Sequence, residues 1–189
     1  MRARDPEDKK RRLLDAALTE FAANGLAGTR IDAVSARAGC STGLVYTYFG
    51  SKEVLFDSVL ADITARTVDQ APITVDDLPG YAVRLYEASA AHPEIERFVA
   101  WHQLEREGLV DQNVTAATQE KVDKVAAAQR EGLLPDRLGA AELVLAIQTI
   151  ARSWLIQPRA VALALDPNED HRVRGEAVRR VVAELIARH

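Results

Sequence analysis

Cys40 is the only cysteine in the 189-residue chain, which excludes an internal disulfide. Glycine (10) and proline (7) are scarce while alanine, leucine, valine, arginine and glutamate dominate, a balance that argues for helix and against a strand-rich architecture with many tight turns. No apolar run approaches the ~20 residues that a bilayer-spanning helix needs. The opening MRARDPEDKKRR lacks the apolar core of a signal peptide, so the expected location is the cytoplasm, without a membrane partner. Nucleotide-binding loops, nucleophile motifs and cysteine clusters are missing too, so neither catalysis nor a metal or cofactor is expected.

What is present suits a globular chain. Apolar residues make up 48% and charged residues 28%, far from the composition of disorder, and the length is ample for a buried core. The net charge of -4 argues at first against nucleic acid, because phosphate contacts need Lys and Arg. Its distribution reverses that inference. Residues 1–60 hold nine basic against eight acidic side chains, and the excess acid lies downstream. Lys9, Lys10, Arg11 and Arg12 form one basic cluster that could sit beside a phosphate backbone or be a solvated first turn.

Asp5, Pro6 and Glu7 give a helix start signal. Leu13, Leu14, Ala17, Leu18 and Phe21 then recur at helical spacing until Asn24-Gly25, predicting a first helix over 6–23. Thr29 reads as the N-cap of a second, which carries Ile31, Val34 and Ala38 and stops at Gly39. Ser41 or Thr42 caps a third, through Val45, Tyr46 and Phe49 to Gly50, and Ser51 begins a longer fourth. APITVDDLPG (71–80) has no helical period and reads as a loop. Beyond it, helical patterns at about 81–91, 94–107, 112–131, 140–156 and 170–188 bring the total to nine, with VALAL (161–165) read as a helical turn. The expected fold is all-α: a three-helix N-terminal domain (1–50) and a larger helical domain (51–189), connected by the fourth helix.

Two short helices joined by Gly39-Cys40-Ser41-Thr42 match a helix-turn-helix, whose second helix enters the major groove. With Val45 and Phe49 facing the core and Leu44 partly exposed, Thr42, Gly43, Thr47 and Tyr48 project from a face without a negative charge, as DNA docking requires. Thr can touch base edges or a thymine methyl, and Tyr hydroxyls or Lys52 at a helix start can reach phosphates. Surface contact is the stronger reading for Tyr48, while Tyr46 stands open between surface and core.

The run TRIDAVSARAGCSTGLVYTYFGSKEVLF resembles the signature of the TetR family. Ala38-Gly39, Ser41, Gly43, Val45, Tyr46, Tyr48, Phe49, Ser51, Lys52, Glu53 and Leu55 stand in register, and upstream Phe21, Gly25 and Thr29 fit as well. The resemblance covers about the first 60 residues. It implies that Thr29 caps the second helix and touches phosphate, that Arg30 can reach DNA, that Thr42 and Gly43 approach bases, that Tyr46 and Tyr48 contact the backbone, and that Lys52 meets phosphate; Ser41 and Thr47 beside them complete the expected DNA-binding surface. Leu44 stands where many relatives carry Thr, Ala or Ser, so an apolar base contact replaces a polar one. Cys40 replaces a usual Val and reads as a small apolar residue.

The remainder resembles the family only in length and helical layout. The broad apolar stripes of 140–156 and 170–188 suggest a four-helix homodimer interface through Ile147, Trp154, Val178, Val181, Val182 and Leu185, with two ordinary core helices as the competing reading. Candidates for lining a site for a small-molecule effector are Tyr86, Phe98, Trp101, His102, Glu105, Gln129, Gln148 and Arg152, each with an ordinary structural role as the alternative. His102-x-x-Glu105 could supply two metal ligands, but no second such unit exists for a di-metal bundle. The sequence therefore points to a dimeric regulator of double-stranded operator DNA, released by a ligand, with a ligand-independent DNA-binding protein or activator as the alternative.

Overall fold

The apolar residues that recur along the first segment, Leu13, Leu14, Ala17, Leu18 and Phe21, are all buried and form the inward stripe of α1 (Pro6–Gly28). The fold is that of a computed structural model, which describes residues 6–108 and 110–187. Asp5, part of the expected start signal, and the end of the last expected helix at 188 lie outside the described residues. Asn24-Gly25 is a break rather than an end: Gly25 takes a non-helical conformation (φ 68°, ψ -179°) and the chain then makes one more turn.

After α1 come α2 (Ile31–Ala38), α3 (Thr42–Phe49) and α4 (Lys52–Gln70), then a 3-10 turn at Val75–Asp77 and α5 (Leu78–Ala91). There follow α6 (Pro93–Glu105), α7 (Gln112–Arg130), α8 (Ala140–Ile156), α9 (Arg159–Leu165) and α10 (His171–Leu185). Among the described residues there are ten α-helices and no strand. The tenth is α9, because the VALAL segment extends into a helix of its own. The expected loop at 71–80 is a loop only in its first part. Pro79 lies in the first turn of α5, where its missing N–H costs nothing, and the Asp77 carboxylate accepts the Gly80 N–H at 2.8 Å.

The chain divides into two units. One comprises the described residues up to Ala65 together with Glu94–Asp111, the other Arg66–Pro93 and the described residues from Gln112 onward. In the first unit Phe21 meets Phe56 edge-on at 4.8 Å, Phe98 lies 4.9 Å from Phe56, and His102 stacks on Phe56 at 5.4 Å. All three phenylalanines are fully buried, each contributing roughly 2–3 kcal/mol of apolar burial. The second unit packs α5 against α8 and α10, and α7 against α8, around Tyr81, Tyr86, Leu143, Ile147, Val178 and Val182.

Candidate nucleic-acid interface

The surface at α2 and α3 is built on two glycines. Gly39 ends α2 in the left-handed region (φ 66°, ψ 42°), which lets its N–H return to Ala36 O and the chain turn into α3 without a strained side chain. Gly25 breaks α1 and leaves the amides of Leu26 and Ala27 as donors, and both are taken by the carboxylate of Glu105 on α6, at 2.5 and 3.0 Å. A Cβ on Gly25 would lie 2.9 Å from the Glu105 carboxylate and 2.9 Å from the Trp101 ring.

α3 buries Val45 and Phe49 in the first unit's core and turns Gly43, Tyr46 and Thr47 outward, at helical spacings of three and four. No acidic residue lies in α3. Ser41 precedes the helix, exposed and without a capping bond, while Leu44 is half-buried outside the core cluster. Thr42 is half-buried, donating to the Asp32 carboxylate at 3.0 Å and lying 3.1 Å from the Ser35 hydroxyl. Asp32 and Ser35 thus fix the first residue of α3 from across the turn. Sequence spacing carried no signal for either. The Arg30 guanidinium is largely exposed, 3.9 Å from Asp32. On α1, Lys10, Arg11 and Arg12 are exposed, with Arg11 3.4 Å from Asp8.

Two expectations change. Thr29 does not cap α2, whose N-cap is Arg30; it is buried, and its hydroxyl donates backward to Gly25 O at 2.7 Å and Glu20 O at 3.1 Å. The break in α1 leaves those carbonyls in need of a donor, and a threonine four residues beyond Gly25 supplies it. Tyr48, expected at the surface, is half-buried against the core with its hydroxyl 3.4 Å from Pro6 O, whereas Tyr46, left open between surface and core, is 48% exposed. Lys52 directs its ammonium to Thr29 O at 3.2 Å and Ala27 O at 3.5 Å, so it closes the α1–α2 junction. Ser51, expected to begin the fourth helix, accepts the Val54 N–H at 3.1 Å on its hydroxyl and so caps α4. Cys40 is half-buried and burial pushes its thiol pKa up, which keeps it protonated.

The eight residues proposed for an effector fall into two groups. Phe98, Trp101, His102 and Glu105 sit on α6 in the first unit. Phe98 is core, Glu105 holds the two amides, and His102 is buried with Nε2 3.5 Å from Asp57, whose carboxylate is gripped by Arg106 at 2.5 Å. In the second unit Tyr86 bonds His171 Nδ1 at 3.0 Å, and Gln129 donates to Pro135 O and Leu138 O at 2.9 and 2.8 Å. Gln148 and Arg152 lie on α8, half-buried, and Gln148 approaches the buried Tyr81 hydroxyl without completing a hydrogen bond. Among the described residues no group of three or more His, Cys, Asp or Glu is placed to hold a metal ion, and no helix is long and apolar enough to cross a membrane.

Of the residues proposed for a dimer interface, Ile147, Val178 and Val182 are buried in the second unit's own core. Trp154 and Val181 border an open groove of about 480 Å³ between α8, α9 and α10, with Val161 and Leu165 on its α9 side. Leu185 is half-buried near the end of α10. The Arg174 guanidinium lies 5.2 Å from the Trp154 ring and forms a buried ion pair with Asp166 at 2.6 Å.

Residues 13–59 match the family model described as "Bacterial regulatory proteins, tetR family", and 77–188 match "Tetracyclin repressor-like, C-terminal domain". The HTH-type transcriptional repressor SCO4008 of Streptomyces coelicolor is 36% identical over 163 residues, covering 84% of this chain and 84% of its own. The HTH-type transcriptional repressor NicS of Pseudomonas putida is 32% identical over 150 residues, covering 72% of this chain and 70% of its own. Among solved structures, the candidate transcriptional regulator SCO4942 from Streptomyces coelicolor is similar with a TM-score of 0.85 at 33% identity, over 96% of this chain and 99% of that one. The regulator FadR of Bacillus subtilis, solved in complex with stearoyl-CoA, shares the fold with a TM-score of 0.70 at 16% identity, over 94% and 100%. These matched families and relatives are transcriptional regulators, not enzymes.

Proposed function

Because the chain belongs to the TetR family of transcriptional regulators, we propose that it is a cytoplasmic, ligand-responsive repressor that binds a palindromic operator as a homodimer, with α3 in the major groove. Residues 1–50 are the DNA-binding domain in this reading and 51–189 the regulatory domain. The observation that carries it is the α2–α3 pair: a three-residue turn, Gly39 to Ser41, fixed by left-handed Gly39, followed by a short helix whose outward face bears no acid in a chain of net charge -4. Arg30, Ser41, Tyr46 and the backbone at Gly43 are the groups best exposed for contact, and Lys52 and Thr29 hold the α1–α2 junction.

The dimer rests on the second unit. Leu145, Ile156, Val161, Leu165, Val173 and Val181 are exposed apolar side chains on or beside α8, α9 and α10, more than a lone surface leaves in one region. A second copy covering them sets two α3 helices one DNA turn apart, ~34–36 Å. The effector binds in the regulatory domain, with Tyr86, Gln148 and Arg152 as its polar contacts, and favours a conformer in which that separation is wrong.

Light scattering at micromolar concentration tests the assembly: the expected wild type is a dimer, and a Leu165→Lys/Val181→Glu variant is a folded monomer that binds operator DNA at least tenfold more weakly. A monomeric wild type that binds DNA as well as the variant would sink the dimeric reading.

A further inference from the structure

Three of the four hydroxyls of α3 are turned onto groups within the chain, which leaves that of exposed Tyr46. Thr42 gives its hydroxyl to Asp32 at 3.0 Å, Thr47 donates to Gly43 O at 2.9 Å, and Tyr48 is directed to Pro6 O at 3.4 Å. Behind them the Thr29 hydroxyl and the Lys52 ammonium are both turned onto backbone carbonyls. α3, TGLVYTYF, contains no Arg, Lys, Asn or Gln, the side chains whose paired donors and acceptors recognise guanine and adenine edges.

What α3 presents instead is carbon. With its hydroxyl folded back on the helix, Thr47 offers its methyl group, and Leu44, three residues earlier, offers its isobutyl group without being part of the core cluster. Gly43 adds an independent sign. A Cβ there would meet nothing within 4 Å, so the fold itself has no need of a glycine that weakens a helix by about 1 kcal/mol relative to alanine. Its bare backbone fits the close approach of another surface. In the major groove the apolar feature available to such a face is the C5 methyl of thymine.

We propose that α3 selects its operator by packing Leu44 and the Thr47 methyl against thymine C5 methyl groups, with Gly43 permitting the approach. Sequence discrimination then rests on apolar contact more than on hydrogen bonds to base edges, while Arg30 and Tyr46 serve the phosphates. This rests on the reading that α3 enters the major groove.

The test uses the full chain and a duplex pool of random sequence. The preferred duplex is selected by repeated binding, and each thymine in it is then replaced by deoxyuridine, which removes only the methyl. The expected result is a loss of about fourfold for each methyl buried, confined to one or two positions per half-site. Thr47→Ser, which keeps the hydroxyl and deletes the methyl, should bring the thymine-to-uracil ratio at one position close to one, and Leu44→Ala should do so at a neighbouring position. Uracil tolerated at every position, while the selected duplex is still preferred over random DNA, overturns the proposal and leaves the major-groove reading standing. Sensitivity to uracil that neither variant alters overturns the assignment to α3. No preferred sequence at all overturns the groove reading and the proposal together.

Discussion

In the first unit, polar side chains near the helix junctions are tied to backbone: Glu105 to two amides, Lys52 to two carbonyls, Thr29 to two more. The second unit ties polar side chains to backbone as well, Gln129 to two carbonyls and Asp77 to an amide; what sets it apart is the buried Asp166–Arg174 ion pair and a groove around which Val161, Leu165 and Val181 are exposed. In the first unit these ties converge on the segment that leads into α2, whereas in the second apolar side chains remain exposed beside a groove.

The sharpest way to break that comparison is Phe56→Ala, which removes the centre of the first unit's aromatic cluster. The expected loss is about 3–5 kcal/mol in urea denaturation. Hydrogen exchange should quicken in α1–α4 and α6 and stay unchanged in α5, α8 and α10. Equal loss of protection everywhere would show that the units unfold together.

Arg174→Met probes the second unit and is expected to cost roughly 3 kcal/mol, because it leaves the Asp166 carboxylate buried without its partner. Adding Asp166→Leu should return most of that loss; a double variant no more stable than the single one would assign the effect to packing over Trp154 instead. A smaller effect appears in alkali. Burial raises the pKa of both Tyr81 and Tyr86 above the ordinary 10.0. The folded chain therefore holds these protons more tightly than the unfolded one, so their contribution is complete below pH 10 and is lost as the pH climbs beyond it. Tyr86→Phe should flatten the fall in urea midpoint above that pH, leaving the Tyr81 part. At neutral pH it should cost about 1 kcal/mol for the lost bond to His171. An unaltered alkaline slope would remove Tyr86 from the effect.

The helical layout was legible because apolar residues recur at 3.6-residue spacing and Gly39, Gly50 and Ser51 mark ends and starts. Thr29 was misread for a local reason: a threonine just ahead of an apolar helix looks like its cap, and nothing in the sequence shows that the preceding helix breaks and needs the hydroxyl more. Tyr46 and Tyr48 are two residues apart on a short helix, so a modest rotation decides which is exposed; the packing of Tyr48 beside Pro6 settles it. The role of Glu105 depends on amides 78 and 79 residues away, a distance over which periodicity is silent. The dimer candidates Ile147, Val178 and Val182 belong to the same apolar stripes as Val181, and a stripe by itself does not separate a helix's own core from its outer face.

The two tryptophans fall one to each unit, Trp101 against Gly25 and Trp154 beside the groove under the Arg174 guanidinium. The chain therefore carries a separate optical reporter in each half. Replacing one by phenylalanine leaves a tryptophan emission that follows the other half alone, so two single-tryptophan variants report separately on the surroundings of the groove and on those of the Gly25 break.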